Sequence, residues 1–101
     1  MNTSITLLTI ITEGILKDEI IAIILKHGAT GYTYSRAEGH GSRGNRATDW
    51  EGPNLRFESL VSKDTAEKIL KELDEKYFEN YSIVAWKSQV DVLRREKFLR
   101  D

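Results

Sequence analysis

The chain has 101 residues, 40% apolar and 31% charged, the balance of one small globular domain, neither a disordered chain nor two domains with a linker. The absence of cysteine excludes disulfide frameworks, thiolate metal sites and cysteine nucleophiles. Fifteen basic and 16 acidic residues leave a net charge of −1, which provides no counterion-releasing surface for tight duplex binding, so nucleic acid is not an expected partner.

Residues 4–13 are rich in Ile, Leu and Thr, a β-branched mix that predicts a strand. Ile5, Leu7 and Ile11 fall on one side and Leu8 and Ile10 on the other, so both faces should be covered. Gly14 ends it. This apolar start lacks a positive leader, a small-residue cleavage site and the roughly 18–20 apolar residues that span a bilayer. The expected location is cytoplasmic.

Between Ile15 and His27 the period changes: Leu16, Ile20, Ile23, Ile24 and His27 recur at helical steps. Gly28 is placed to cap that helix, and 31–37 (GYTYSRA) predicts a second strand. Residues 38–53, EGHGSRGNRATDWEGP, carry four glycines and the only proline with no hydrophobic period. That predicts a loop of unusual length. A third strand follows at 54–61. Ser62 can cap a second helix whose stripe is Ile69, Leu70, Leu73 and Tyr77. Its outer face should pair Glu67 with Lys71 and Glu72 with Lys76. A fourth strand is expected over 81–92, then a charged tail, 93–101.

The order predicts one α+β domain over 1–101, a ferredoxin-like βαββαβ sandwich with two helices on one face of a four-stranded antiparallel sheet. The uncovered face would carry apolar side chains, and self-association is the expected remedy.

In 38–53, Gly39, Gly41 and Gly44 allow tight turns whose amides can surround an anion. Ser42 adds a hydroxyl, and Arg43 and Arg46 add guanidinium forks suited to phosphate or carboxylate. These are parts of a polyphosphate cradle, but such a composition more often belongs to an ordinary surface connection. The stretch is neither GxxxxGK[ST] nor a dinucleotide fingerprint opening a helix.

The run GYT at 31–33, EGHGSRG at 38–44 and PNLRFESLV at 53–61 resembles the PII signalling superfamily over about residues 5–92. The GSRGNR portion is similar to the carboxysome- and bicarbonate-associated branch (CPII-like and SbtB-like). The resemblance implies a cytoplasmic homotrimer that is not an enzyme, with adenine nucleotide (ADP, AMP, ATP or cyclic AMP) in clefts between subunits. Segment 38–53 would be the T-loop that meets a protein target, a transporter or carboxysome component. By position, Thr33 would lie against the adenine. Gly39, Gly41, Ser42 and Arg43 would hold ribose and phosphates, Arg46 would reach a phosphate, and His40 is either a ligand contact or solvated. Glu58 and Leu60 occupy cleft positions, and Arg94 and Arg95 fall where an adjacent subunit offers phosphate-binding arginines. Bicarbonate would sit near Gly41, Ser42 and Arg46, and no metal is implied. The TGxxGDGK loop of nitrogen-type members has no counterpart between Tyr77 and Ser82. No tyrosine lies in 38–53, which leaves a uridylylation switch unexpected.

Several residues have plainer readings. His27 and His40 show no metal-ligand spacing; His27 suits a helix end. Trp50 could pack on its own loop or on a partner, and Trp86 on the core or a subunit interface. Arg56 and Glu58, two apart on one strand face, could form an ion pair or meet a ligand. The same fold order also builds RNA-binding modules, which need aromatics on the first and third strands, where only Phe57 is available. CutA-like divalent-cation trimers are a further alternative. No paired carboxylates or nucleophile–base spacing suggests catalysis.

Overall fold

The computed structural model describes residues 2–39 and 53–99. Strand β1 (Ser4–Glu13) leads through a single 3-10 turn (Gly14–Leu16) into helix α1 (Lys17–Lys26); β2 (Thr33–Ala37) and β3 (Asn54–Val61) follow. Helix α2 (Lys63–Lys76), strand β4 (Val84–Asp91) and a second 3-10 turn (Arg95–Lys97) complete the elements of the described residues. The antiparallel sheet has the order β2-β3-β1-β4, the ferredoxin-like arrangement expected. β4 is shorter than the predicted 81–92 span.

Register assigns the two faces. Leu8 pairs with Ser59, Ile10 with Phe57 and Thr12 with Leu55, and these side chains point to the helices, because strand residues two apart share a face. Leu8, Ile10 and Phe57 are buried there with Ile20, Ile24, Ile69 and Leu73. Alternation in NLRFESLV therefore separates a buried set (Leu55, Phe57, Ser59, Val61) from Arg56, Glu58 and Leu60 on the opposite face.

Helix ends follow local chemistry. Gly28 has φ +105°; the Gly28 amide donates to the Leu25 carbonyl at 3.1 Å and the Ala29 amide to Ile24 at 3.3 Å. That double bond pattern terminates α1 and requires the left-handed residue that glycine supplies most readily. At α2, Ser62 Oγ accepts from the Thr65 amide at 3.1 Å. Val61 and Ala66, on either side of that cap, are both buried, as in a hydrophobic staple. At the end of β1, the Gly14 amide donates to the Pro53 carbonyl at 3.1 Å. This anchors the entry to β3 against the exit of β1.

One expected pair is corrected. Glu67 meets Lys87 of β4 at 3.7 Å, and Lys71 turns to Glu75 at 3.8 Å. Gln89, Lys87 and Ala85 pair with Thr6, Leu8 and Ile10, so Lys87 emerges on the helix side, where Glu67 meets it. The Glu72–Lys76 pair forms at 3.2 Å. Glu72 also joins the helices, with Oε1 2.8 Å from both Lys26 Nζ and His27 Nε2.

The other sheet face is mixed. Ile11, Val84 and Trp86 lie there with Arg56 and Glu58, and Arg56 stands 5.8 Å from the Trp86 ring centre. Val84 and Trp86 are 50% and 40% exposed, so this face carries an apolar surface around a charged centre. Among the described residues no helix is long and apolar enough to cross a membrane.

Candidate functional site

Three of the candidate residues, Thr33, Glu58 and Leu60, come together at one end of the β2–β3 hairpin. Thr33 is the first residue of β2 and pairs directly with Glu58 of β3, which places both side chains on the open sheet face. Leu60, two residues along, shares that face, and its β1 partner is Leu7. Together with the approach to β2, Thr30–Tyr32, they line a cleft of about 420 Å³. Such a volume suits a small organic ligand.

The cleft wall is held from behind. Ser59 Oγ, on the helix side, donates to the Gly31 carbonyl at 2.6 Å and pins the chain just before β2 to β3. No heavy atom lies within 4 Å of the position a Gly31 Cβ would take, so an added side chain meets no protein there. Tyr32 packs against the core and stacks at 6.4 Å on Tyr34, whose ring in turn meets Phe57 at 5.4 Å. This aromatic ladder stiffens the edge strand.

Glu58 is the cleft's carboxylate. Arg56 Nη2 lies 3.1 Å from Glu58 Oε2, the ion pair expected from their spacing, and both groups are well exposed. Such a pair contributes little to stability, but it orients the carboxylate and balances its charge. Thr33 hydroxyl and Glu58 carboxylate thus offer a donor and acceptors side by side above the apolar Leu7 and Leu60. That combination can hold a flat, polar-edged ring or a sugar hydroxyl.

The remaining candidates are distributed as follows. Gly39 lies beyond the far end of β2, past the last hairpin pair, Ala37 with Asn54. His40, Gly41, Ser42, Arg43 and Arg46, with Gly44 and Trp50, lie outside the described residues. Arg94 adopts a left-handed conformation at φ 60°, ψ 46°, and the Arg95 Nε donates to the Ser4 carbonyl at 2.5 Å. The tail residues that line the cleft are Lys97 and Phe98. Sequence reasoning passed over these two and also Leu7, Thr30, Gly31 and Tyr32. The GYT run and the Glu58 and Leu60 positions of PNLRFESLV were what pointed towards this corner.

Two alternatives find no platform among the described residues. Phe57, the one aromatic in β3, is fully buried beneath the helices, so it presents no stacking surface for RNA bases. Among the described residues, no group of three His, Asp or Glu side chains could hold a metal ion.

Residues 5–97 match the model of the family described as Nitrogen regulatory protein P-II. No curated protein matches the chain. Among solved structures, a protein of Thermus thermophilus described as a PII-like signaling protein is 41% identical. The alignment covers 97% of this chain and 99% of that one, at a TM-score of 0.83. CPII, a nitrogen regulatory PII-like protein of Thiomonas intermedia K12 solved with ADP, AMP and bicarbonate, is 24% identical. It aligns over 96% of this chain and 95% of its own, also at 0.83. The GlnK–ATP complex of B. subtilis shares the fold at 18% identity and a TM-score of 0.57, over 87% and 84% of the two chains.

Proposed function

Because the chain belongs to the nitrogen regulatory protein P-II family, we propose that it is a non-enzymatic PII-like signalling protein that reads adenine nucleotides at the cleft beside Thr33 and Glu58. The working unit is a homotrimer, and the cleft is completed by a neighbouring protomer. ADP, AMP, ATP or cyclic AMP is the effector class, with bicarbonate as a second ligand near Gly41, Ser42 and Arg46. In CPII of Thiomonas intermedia, the same fold holds ADP, AMP and bicarbonate.

The observation that carries this reading is the pairing of Thr33 with Glu58 at the mouth of the cleft. A base edge or ribose hydroxyl meets the threonine and the carboxylate, while Leu7 and Leu60 receive the apolar ring face. Phosphates then extend along β2 towards Gly39. Four strand steps separate Thr33 from Ala37, about 13 Å, a span a nucleotide diphosphate can bridge. Amide groups and the forks of Arg43 and Arg46 neutralise its charge.

Signalling follows when the nucleotide changes what segment 38–53 presents to a protein target. A target in inorganic-carbon transport or a carboxysome fits the bicarbonate ligand. Discrimination need not be large: about 1.4 kcal/mol between two nucleotides is a tenfold preference. Isothermal titration with ATP, ADP, AMP and cyclic AMP, with and without bicarbonate, tests the reading. At least one should bind saturably; no heat from any of them at millimolar concentration ends the proposal.

A further inference from the structure

We propose that the C-terminal turn forms one wall of the cleft from within the same protomer, with Phe98 as a ligand-stacking residue, Lys97 as its anion contact and Arg95 as the positioning residue that holds both in place. This rests on the nucleotide reading above.

The chain's path makes the placement specific. β4 ends at Asp91, and the Val92 amide extends the sheet by donating to the Thr3 carbonyl at 2.9 Å. Arg94 then turns in the left-handed region, with φ 60°, a conformation that a side-chain-bearing residue adopts at some cost. This reverses the chain over the open sheet face. Arg95 Nε closes on the Ser4 carbonyl at 2.5 Å, and the Lys97 and Phe98 amides donate to the Arg94 and Arg95 carbonyls at 3.0 Å each. Ile5, which belongs to that open face, is only 5% exposed.

The turn delivers Lys97 and Phe98 to the cleft opposite Glu58 and Leu60. An aromatic ring beside aliphatic Leu7 and Leu60 suits a planar heterocycle, because every nucleobase offers a π-face for stacking. The charges complement this. Glu58 is already balanced by Arg56, whereas Lys97 makes no ion pair among the described residues. An anionic, ring-bearing ligand satisfies both features at once; a small anion such as bicarbonate alone satisfies only Lys97. The tail therefore selects for the nucleotide. The resemblance assigns phosphate contacts to Arg94 and Arg95 of an adjacent subunit; within its own chain Arg95 donates from Nε to Ser4.

Calorimetric titration of ADP and AMP into the wild type, Phe98→Ala, Phe98→Leu, Lys97→Gln, Arg95→Ala and Arg95→Lys, with melting curves for each, tests the assignment. Phe98→Ala should bind about tenfold more weakly. Phe98→Leu, which retains apolar bulk, should still lose several-fold, on the scale of one stacking contact. Lys97→Gln should weaken binding and flatten its salt dependence. Arg95→Ala should weaken binding and speed hydrogen exchange at the Phe98 amide, and Arg95→Lys should recover part of both. If the Phe98 and Lys97 variants fold and bind as the wild type does, the tail assignment is overturned and the nucleotide reading stands. If the wild type binds no adenine nucleotide, both fall together.

Discussion

Glu72, one turn before the end of α2, places Oε1 2.8 Å from His27 Nε2 at the end of α1, joining the two helices that cover the sheet. The same carboxylate takes Lys26 Nζ at 2.8 Å and Lys76 Nζ at 3.2 Å. Hydrogen bonds from Lys26, then His27, hold its pKa down from 4.5 to about 2.

A folded-state pKa below the unfolded value means the carboxylate stabilises the fold above pH 4.5, and this stabilisation fades as pH falls through about 2. Acid unfolding should therefore draw on Glu72 in that window. Glu72→Gln should lower stability by about 1–2 kcal/mol at neutral pH, since two of its three partners are solvent-exposed lysines. It should also flatten the pH dependence between those limits. Urea unfolding at a series of pH values checks this; a variant whose pH profile parallels the wild type would assign the acid response elsewhere.

Gly14→Ala should be damaging for a reason unrelated to its φ. An added Cβ would stand 2.7 Å from the Pro53 carbonyl oxygen, which also accepts the Gly14 amide. Backbone must move, at a cost of about 1–3 kcal/mol, and the junction where segment 38–53 enters β3 moves with it. Thermal melting should show the loss. A melting point equal to the wild type would mean this junction is soft.

Gly31→Val should do the reverse. Gly31 meets nothing within 4 Å of an added Cβ and has no positive φ, so the fold should tolerate the substitution. The branched side chain would enter the cleft beside Thr33 and obstruct a ligand. Melting within a degree or two of the wild type, with ADP affinity reduced at least tenfold, is the expected pair of results. Unchanged affinity would place the ligand elsewhere.

The open sheet face predicts assembly. Val84 and Trp86 are 50% and 40% exposed on it, apolar surface of the kind that subunit interfaces cover, and the proposed trimer would bury them. Sedimentation should give a trimer for the wild type and smaller species for Val84→Glu, because an unpaired carboxylate in that interface is costly. A wild type that sediments as a single protomer would contradict the trimer.

What was readable in the sequence depended on local cause. The strand at 54–61, the Ser62 cap, the Gly28 stop and the switch to helical spacing after Gly14 each act over a few residues. Each reappears in the fold. The placement of Thr33, Glu58 and Leu60 in one cleft was implied by the family resemblance alone; the physical cause, strand register that puts all three on one sheet face, shows only in the fold. The tail was not readable, because its course depends on one left-handed arginine and on a contact between Arg95 and Ser4, which are 91 positions apart. The Glu67–Lys87 pair was missed because helix spacing favours Lys71, and only sheet register brings β4 within reach.

A crystal of the protein grown with ADP examines the cleft most directly. The base should appear between Leu60 and Phe98 with its polar edge at Thr33 and Glu58, and the phosphates should run towards Gly39. A base bound away from Thr33, or a cleft filled by solvent at saturating ADP, would contradict that assignment.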